Sequence, residues 1–253
     1  MVTPASTDAC RGALAAAAAL GPFFVLETDP PPTSSADGAP PWRSFAELTD
    51  DPGVTRARIA AIRAGIADRG RMPVDDVSPR AAASLAHLGL VSRLFSPSLG
   101  AALLGGVVPD LEGLWWRDVL GPVPMTLADP RGEAIDAGDA EAVAAALARG
   151  LVDGPVAQLT AAIGAEGKVS ARVLWGNVAS AAAGSVRMLS SASPAHAETA
   201  FAVGRHLINQ APLVGLGAFA GPAGPAMFRR STCCLYYRIP GGGYCGDCVL
   251  EGR

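Results

Sequence analysis

The chain has 253 residues, of which 50% are hydrophobic and 17% charged, enough apolar material for one large domain or two small ones. Its 20 Lys and Arg against 23 Asp and Glu give a net charge of −3, with no basic excess to suit nucleic acid or an anionic membrane surface. The 30 glycines and 21 prolines stay below the roughly 25–30% that marks disordered chains.

Ala13–Leu20 (ALAAAAAL) follows Arg11 and has the look of an export-signal core. Asp8 in front of it and the poor cleavage sequence Gly21-Pro22-Phe23-Phe24 argue for an Ala-rich helix, capped near Thr7 or Asp8. The apolar run Phe23–Leu26 predicts a short strand. Pro30–Pro41 (PPPTSSADGAPP) is a low-complexity loop that sets the N-terminal segment apart.

Ser78-Pro79 supplies a helix cap followed by proline at the first helical position, and Leu85, Leu88, Val91 and Phe95 recur at helical spacing. Ser96-Pro97 repeats that start signal and predicts a second, short helix ended by Gly105-Gly106. Leu114–Val119 and Val123–Leu127 flank Gly121-Pro122 and predict a small hairpin. From Asp139 the pattern is helical over about 139–150, 155–164, 170–190 and 194–209. The third of these carries Leu174, Val178, Ala181, Ser185 and Leu189 on one stripe. Val173–Val186 is uncharged but shorter than the ~18–20 apolar residues that span a bilayer, so it reads as a buried helix and no integral membrane segment is expected. Pro212 and Gly215–Pro225 break the helical pattern. The expected fold is mainly α: a helical domain over residues 1–231 with a minor β element near 114–127, and a cysteine-bearing segment over 232–253 docked on it. An α+β arrangement is the alternative.

Four of the five cysteines, Cys233, Cys234, Cys245 and Cys248, lie within sixteen residues near the end of the chain. Such a set, in a chain expected to be soluble and cytoplasmic where thiols stay reduced, is a complete ligand set for zinc or an iron–sulfur cluster. Cys245-Gly246-Asp247-Cys248 has ordinary knuckle spacing, whereas the adjacent Cys233 and Cys234 point to opposite faces of an extended chain. That divergence suits a two-iron cluster better than one small tetrahedral ion. A [2Fe–2S] cluster, a zinc site, and redox thiols or a vicinal disulfide all stay open on spacing alone.

The stretch CCLYYRIPGGGYCGDC resembles the C-terminal signature of the FhuF-like ferric siderophore reductases. The likeness extends to the approach Phe228–Ser231 (FRRS), the Tyr-Tyr-Arg and the triple glycine. Upstream, Arg93-Leu94-Phe95-Ser96-Pro97, Val108-Pro109-Asp110-Leu111, Leu114-Trp115-Trp116 and Leu174-Trp175-Gly176-Asn177 are similar to stretches of actinobacterial members, so the resemblance runs over roughly 40–253. Only the cysteine motif is specific. The resemblance implies a [2Fe–2S] cluster on Cys233, Cys234, Cys245 and Cys248 that delivers one electron to a ferric siderophore and frees Fe(II). An electron carrier or redox sensor without a siderophore substrate is the alternative.

Arg229, Arg230 and Arg238 bracket the cysteines, where they would attract an anionic chelate or favour the reduced cluster, or else form a solvated docking face. Tyr237 joins them as a substrate-contact candidate, and Tyr236 and Tyr244 as cover for the cluster or plain packing. The triple glycine Gly241–Gly243 is expected to let the chain fold closely around the cluster. Gly164–Ser170 (GAEGKVS) lacks phosphate-loop spacing and Gly215-Leu216-Gly217 lacks the dinucleotide pattern, so electrons are expected from another protein, a ferredoxin or reductase. His87, His196 and His206 read as ordinary residues, Trp115-Trp116 and Trp175 as core in preference to a ligand platform, and Cys10 as a free thiol. Asn177 reads equally as a satisfied core amide or as an orienting group. Asp50-Asp51 and Asp75-Asp76 look like helix caps.

Overall fold

A computed structural model of the chain describes residues 3–31, 38–220 and 227–251; the centre of the low-complexity loop and residues 221–226 lie outside the described part. The first half holds β1 (Thr3–Ala5), α1 (Thr7–Ala18), β2 (Trp42–Ser44), α2 (Glu47–Asp50), α3 (Pro52–Gly70) and α4 (Pro79–Gly105). Next come β3 (Val107–Asp110), β4 (Trp115–Arg117), β5 (Met125–Thr126) and β6 (Arg131–Ala134). The remainder is α5 (Ala140–Leu147), α6 (Ala157–Gly167), α7 (Ala171–Ala192), α8 (Ala197–Ile208), β7 (Gly217–Phe219) and β8 (Phe228–Arg230). The fold is mainly α with small antiparallel sheets ordered β1-β6-β3, β2-β4-β5 and β7-β8.

The core is built around α4, which packs against α1, α3 and α7 and is buried along most of its length. Ser78 caps it, accepting from the Ala81 N–H, and Gly106 ends it in left-handed backbone (φ 65°). By length and composition α4 could span a bilayer, but 72% of that apolar window is buried inside the fold, as in the central helix of a packed core.

One rod of 27 residues replaces the two helices predicted from the repeated Ser-Pro. Ser96 does not cap; its hydroxyl lies 2.9 Å from Ser185 Oγ on α7. Pro97 removes one backbone hydrogen bond, yet Leu94, Phe95 and Leu99 around it are all at most 2% exposed, so packing holds the helix straight through. Arg93 has another task. Its buried guanidinium donates to the carbonyls of Val123 (2.9 Å), Pro22 (3.1 Å), Phe23 and Val25 (2.5 Å). Burial lowers its pKa to about 10. Those carbonyls are the ones a strand would have used, and Phe23–Leu26 is accordingly a single tight turn at Pro22–Phe24 followed by an extended stretch.

Helix α3 has no counterpart among the sequence expectations. It starts where Asp51 accepts the Gly53 N–H at 2.7 Å and Pro52 takes the first helical position. Its buried Arg58 reaches across to Asp118 (2.5 Å) and the Val119 carbonyl (2.9 Å), fastening the hairpin to the helices. The predicted hairpin is present as β4 paired with β5, with β2 added on the outer edge. The stripe on α7 is buried as expected, with Leu174, Val178, Ser185 and Leu189 at 0% exposure. Helix α7 thereby faces α4 on one side and α6, α8 and β8 on others.

Candidate metal centre

After β7 the chain returns as β8, which pairs antiparallel with it and lies along α7. Three backbone bonds then fix the cysteine segment. Arg230 donates its N–H to the Asp247 carbonyl (3.2 Å), Ser231 to the Leu216 carbonyl (2.8 Å), and Cys248 to the Cys245 carbonyl (3.2 Å), the last closing the knuckle. The Asp247 carboxylate accepts from Ser180 of α7 at 2.5 Å, so the knuckle is held to the helix. The triple glycine turns the chain between the two cysteine pairs. Gly241 and Gly243 have φ of 75° and 69°, and a side chain on Gly242 would meet the Tyr236 carbonyl oxygen at 2.8 Å.

This return loop brings the four thiols into one neighbourhood. Cys234 and Cys248 are 2% and 5% exposed, while Cys233 and Cys245 are half-buried and reach toward the surface. Cys234 and Cys245 are hydrogen-bonded to each other, and Cys233 feels the charges of Cys234 and Cys248. Backbone N–H groups two residues ahead point at sulfur three times: Leu235 at Cys233 (3.3 Å), Leu250 at Cys248 (3.4 Å), and Tyr236 at Cys234. Such bonds favour thiolate over thiol. The hydrogen bond from Cys245, helped by the Tyr236 N–H and by Arg230, lowers the Cys234 pKa to about 6. The same contact, together with burial, raises that of Cys245. Burial raises Cys233, against the pull of the Leu235 N–H and Arg230.

Arg230 is the most deeply buried charged side chain among the described residues, at 1% exposure against 2% for Arg58 and 3% for Arg93. One amino group donates to Asn177 Oδ1 at 2.7 Å and lies 3.4 Å from Thr232 Oγ1. Its Nε and other amino group have no hydrogen-bond partner, and no carboxylate among the described residues pairs with it. Asn177 is itself 0% exposed and donates to the Ser84 carbonyl and hydroxyl, both at 2.9 Å. Ser84 of α4, Asn177 of α7 and Arg230 of β8 thus form one buried chain that ends beside the thiols. Gly176 makes room for it: a methyl group there would sit 1.8 Å from Thr232 Oγ1 and 3.2 Å from the guanidinium.

The other arginines differ in place. Arg229 is exposed and donates to the Glu251 carbonyl. Arg238 is exposed, with its Nε 3.2 Å from the Tyr237 hydroxyl and its guanidinium 5.8 Å from that ring. Tyr237 and Tyr244 are 43% and 59% exposed, and Tyr236 is half-buried. So the structure places Arg238 and Tyr237 together at the rim, sets Arg229 aside, and takes Arg230 inside.

Residues 230–250 match the FhuF 2Fe-2S C-terminal domain. No curated protein matches the chain. The match covers only the cysteine segment, and it points to a [2Fe–2S] cluster as the cofactor.

The residues present fit such a group. The fit lies in the donor set, four cysteines on one short segment with a buried guanidinium next to them; among the described residues no three His, Cys, Asp or Glu side chains are grouped closely enough to hold a metal ion. A buried guanidinium without a carboxylate is costly unless another negative charge completes it. Cys233, Cys234, Cys245 and Cys248 would supply that charge if they held an iron–sulfur core as thiolates.

Other candidates fall away from the site. His87 is 0% exposed, bonds Thr160 Oγ1 at 2.9 Å, and is held neutral by burial, its pKa lowered to about 3. His196 bonds Ser193 beside α8. Cys10 is buried in α1, with its sulfur 3.4 Å from the Arg131 carbonyl oxygen and its pKa raised to about 11 by burial. Asp51 caps α3, as the sequence suggests. The Ser84–Asn177–Arg230 chain is what spacing does not disclose; an Asn beside a Gly in the middle of an apolar helix is its one trace in the sequence.

Proposed function

We propose that the chain is a cytoplasmic ferric-siderophore reductase, an oxidoreductase acting on metal ions. The observation that carries this reading is the FhuF-type segment, with two of its four cysteines buried and two half-exposed toward solvent. Cys233, Cys234, Cys245 and Cys248 would hold the cluster, the buried pair Cys234 and Cys248 on the inner side and Cys233 and Cys245 toward solvent. When bound, the [2Fe–2S] cluster supplies one electron per turnover and is recharged by an external protein donor, a ferredoxin or reductase.

The chain's own residues do the rest. The N–H groups of Leu235 and Leu250 point at the sulfurs of Cys233 and Cys248, where they would hydrogen-bond to ligand thiolates. Arg230 is fixed by Asn177 and lowers the energy of added negative charge beside the thiols, so it favours the reduced state. Tyr237 and Arg238 at the rim are placed to meet an incoming chelate. The substrate's Fe(III), bound by hard oxygen donors, accepts the electron and becomes Fe(II). These donors hold the ferrous ion less tightly, and it leaves.

The test is a single turnover. Protein reduced with dithionite, freed of excess reductant and mixed anaerobically with a ferric siderophore should reoxidise, with about one Fe(II) trapped by a ferrous chelator per oxidised cluster. Reduced protein that no ferric chelate reoxidises would mark an electron carrier or sensor instead.

A further inference from the structure

The segment Gly164–Ser170, which lacks phosphate-loop spacing, lines a concavity beside the thiols. It joins α6 to α7 through Lys168, whose backbone is left-handed (φ 51°). Around the concavity stand Arg80 from the first turn of α4, Lys168 and Ser170 from this junction, Val173 of α7, and Leu235 and Arg238 of the cysteine segment. Arg80, Lys168 and Arg238 are all exposed, and no acidic residue lines the hollow. Among the described residues none of the three cations has a salt bridge, and the neighbouring Glu166 is committed to Arg56 at 2.7 Å. Three cations from three separate stretches of chain, facing one hollow without a counter-charge, repel each other and create a positive potential there. The start of α7 adds to it, since the Ser170 side chain caps no backbone N–H.

The hollow is also close to the redox centre. Leu235 forms part of its wall, and the N–H of the same residue donates to Cys233 Sγ at 3.3 Å. Arg238 feels the charge of Cys233. Only the thickness of one residue separates the hollow from a proposed ligand sulfur. The other cleft near the thiols, beside the Cys245–Cys248 knuckle, is lined by Arg187 and Asp247 together with Phe219, Met227 and Phe228, and so offers no comparable field for an anion.

We infer that this concavity is the docking site for a ferric chelate of net negative charge, with Arg80, Lys168 and Arg238 meeting its carboxylate or catecholate oxygens and Leu235 and Val173 its apolar parts. The inference rests on the reductase reading and adds the substrate class to it: anionic chelates are preferred over neutral hydroxamates. A hollow of this kind suits a small ligand, whereas a protein partner would need a patch of roughly 800 Å².

Binding can be separated from electron transfer with gallium(III), which matches the charge and size of Fe(III) but accepts no electron under these conditions. The probes are the gallium complex of a tris-catecholate siderophore, which is anionic, and that of a neutral trihydroxamate. Both are measured by equilibrium dialysis against the anaerobically purified, cluster-bearing full chain. The wild type should bind the anionic complex more tightly. The Arg80→Gln/Lys168→Gln double variant should weaken that binding about tenfold and leave the neutral complex within about twofold. Raised salt should act in the same direction, and Arg149→Gln, which removes a cation paired with Glu133, should change neither affinity. Equal loss for both complexes, or no loss for either, overturns the inference. So does unchanged chelate binding with slowed reduction by an acidic donor protein, which would assign the hollow to the donor. In parallel, the reduced wild type is mixed with the ferric forms of both chelates. Reoxidation with unaltered affinities in the double variant refutes the site alone, while selective anionic binding without reoxidation refutes the reductase reading alone.

Discussion

Arg230 is a cationic side chain of which 1% meets solvent, and among the described residues its side-chain hydrogen-bond partners are the neutral Asn177 and Thr232. A fixed positive charge beside the thiols favours the state with the extra electron. Arg230→Gln should therefore lower the cluster's midpoint potential, by roughly 60 mV or more, about a factor of ten in the one-electron equilibrium. Arg230→Lys should keep most of the wild-type value. Arg229→Gln, at the surface with only a carbonyl contact, should shift it far less. EPR-monitored redox titration decides the order, and equal shifts in the Arg229 and Arg230 variants would remove the special role of the buried charge. His87 gives a second test at this scale. Its folded pKa of about 3 lies below the unfolded value of about 6.5, so between these the unfolded chain binds a proton that the folded chain does not. Its contribution to stability is complete above about pH 6.5 and is lost as pH falls. His87→Leu should lose about 2 kcal/mol less than the wild type between pH 7 and pH 5. Thr160 keeps its bond to the Val156 carbonyl in that variant. Parallel pH profiles from urea unfolding would contradict this assignment.

At the scale of elements, the seat of β8 and the following residues on α7 is the critical contact. Gly176 is the place where Thr232 and Arg230 come closest to the helix backbone. Gly176→Ala should displace the cysteine segment at a cost of about 1–3 kcal/mol. Hydrogen exchange should rise across residues 228–251 and iron content should fall, while the exchange of α4 stays as it was. Uniform loosening of the whole fold would instead make Gly176 an ordinary core position. The helix α7 itself is legible in the sequence, because Leu174, Val178, Ser185 and Leu189 repeat with the helical period over a long window. The sheet β1-β6-β3 is not, since strands of three or four residues carry too little alternation and β1 lies over a hundred residues from its partner β6. Ser96-Pro97 misleads for a different reason: its local signal to start a helix is overridden by burial on all sides. The cysteine spacing announces the metal site, but not which of three nearby arginines is buried. That depends on the gap at Gly176 and on Asn177, more than fifty positions upstream of Arg230.

For the whole molecule, the structure divides the work between a helical body that packs without the thiols and a short return loop that lies on it. The body's core centres on α4 and its neighbours α1, α3 and α7, and none of the four clustered cysteines belongs to the main apolar cluster. Loss of the metal centre should therefore leave the helical circular dichroism largely intact, while protease cleavage becomes faster within residues 231–251. Cooperative loss of the entire helical signal in a cluster-free variant would contradict that division. The central claim, that these four thiolates together hold the redox centre, is tested most directly by iron and acid-labile sulfide content after anaerobic purification. It is measured in the wild type and in the single Cys→Ser variants at positions 10, 233, 234, 245 and 248. The wild type and Cys10→Ser should hold about two irons and two sulfides per chain, with depleted or shifted, labile clusters in the other four. Stoichiometric zinc without iron in the wild type, a normal cluster in Cys233→Ser or Cys234→Ser, or its loss in Cys10→Ser would contradict it.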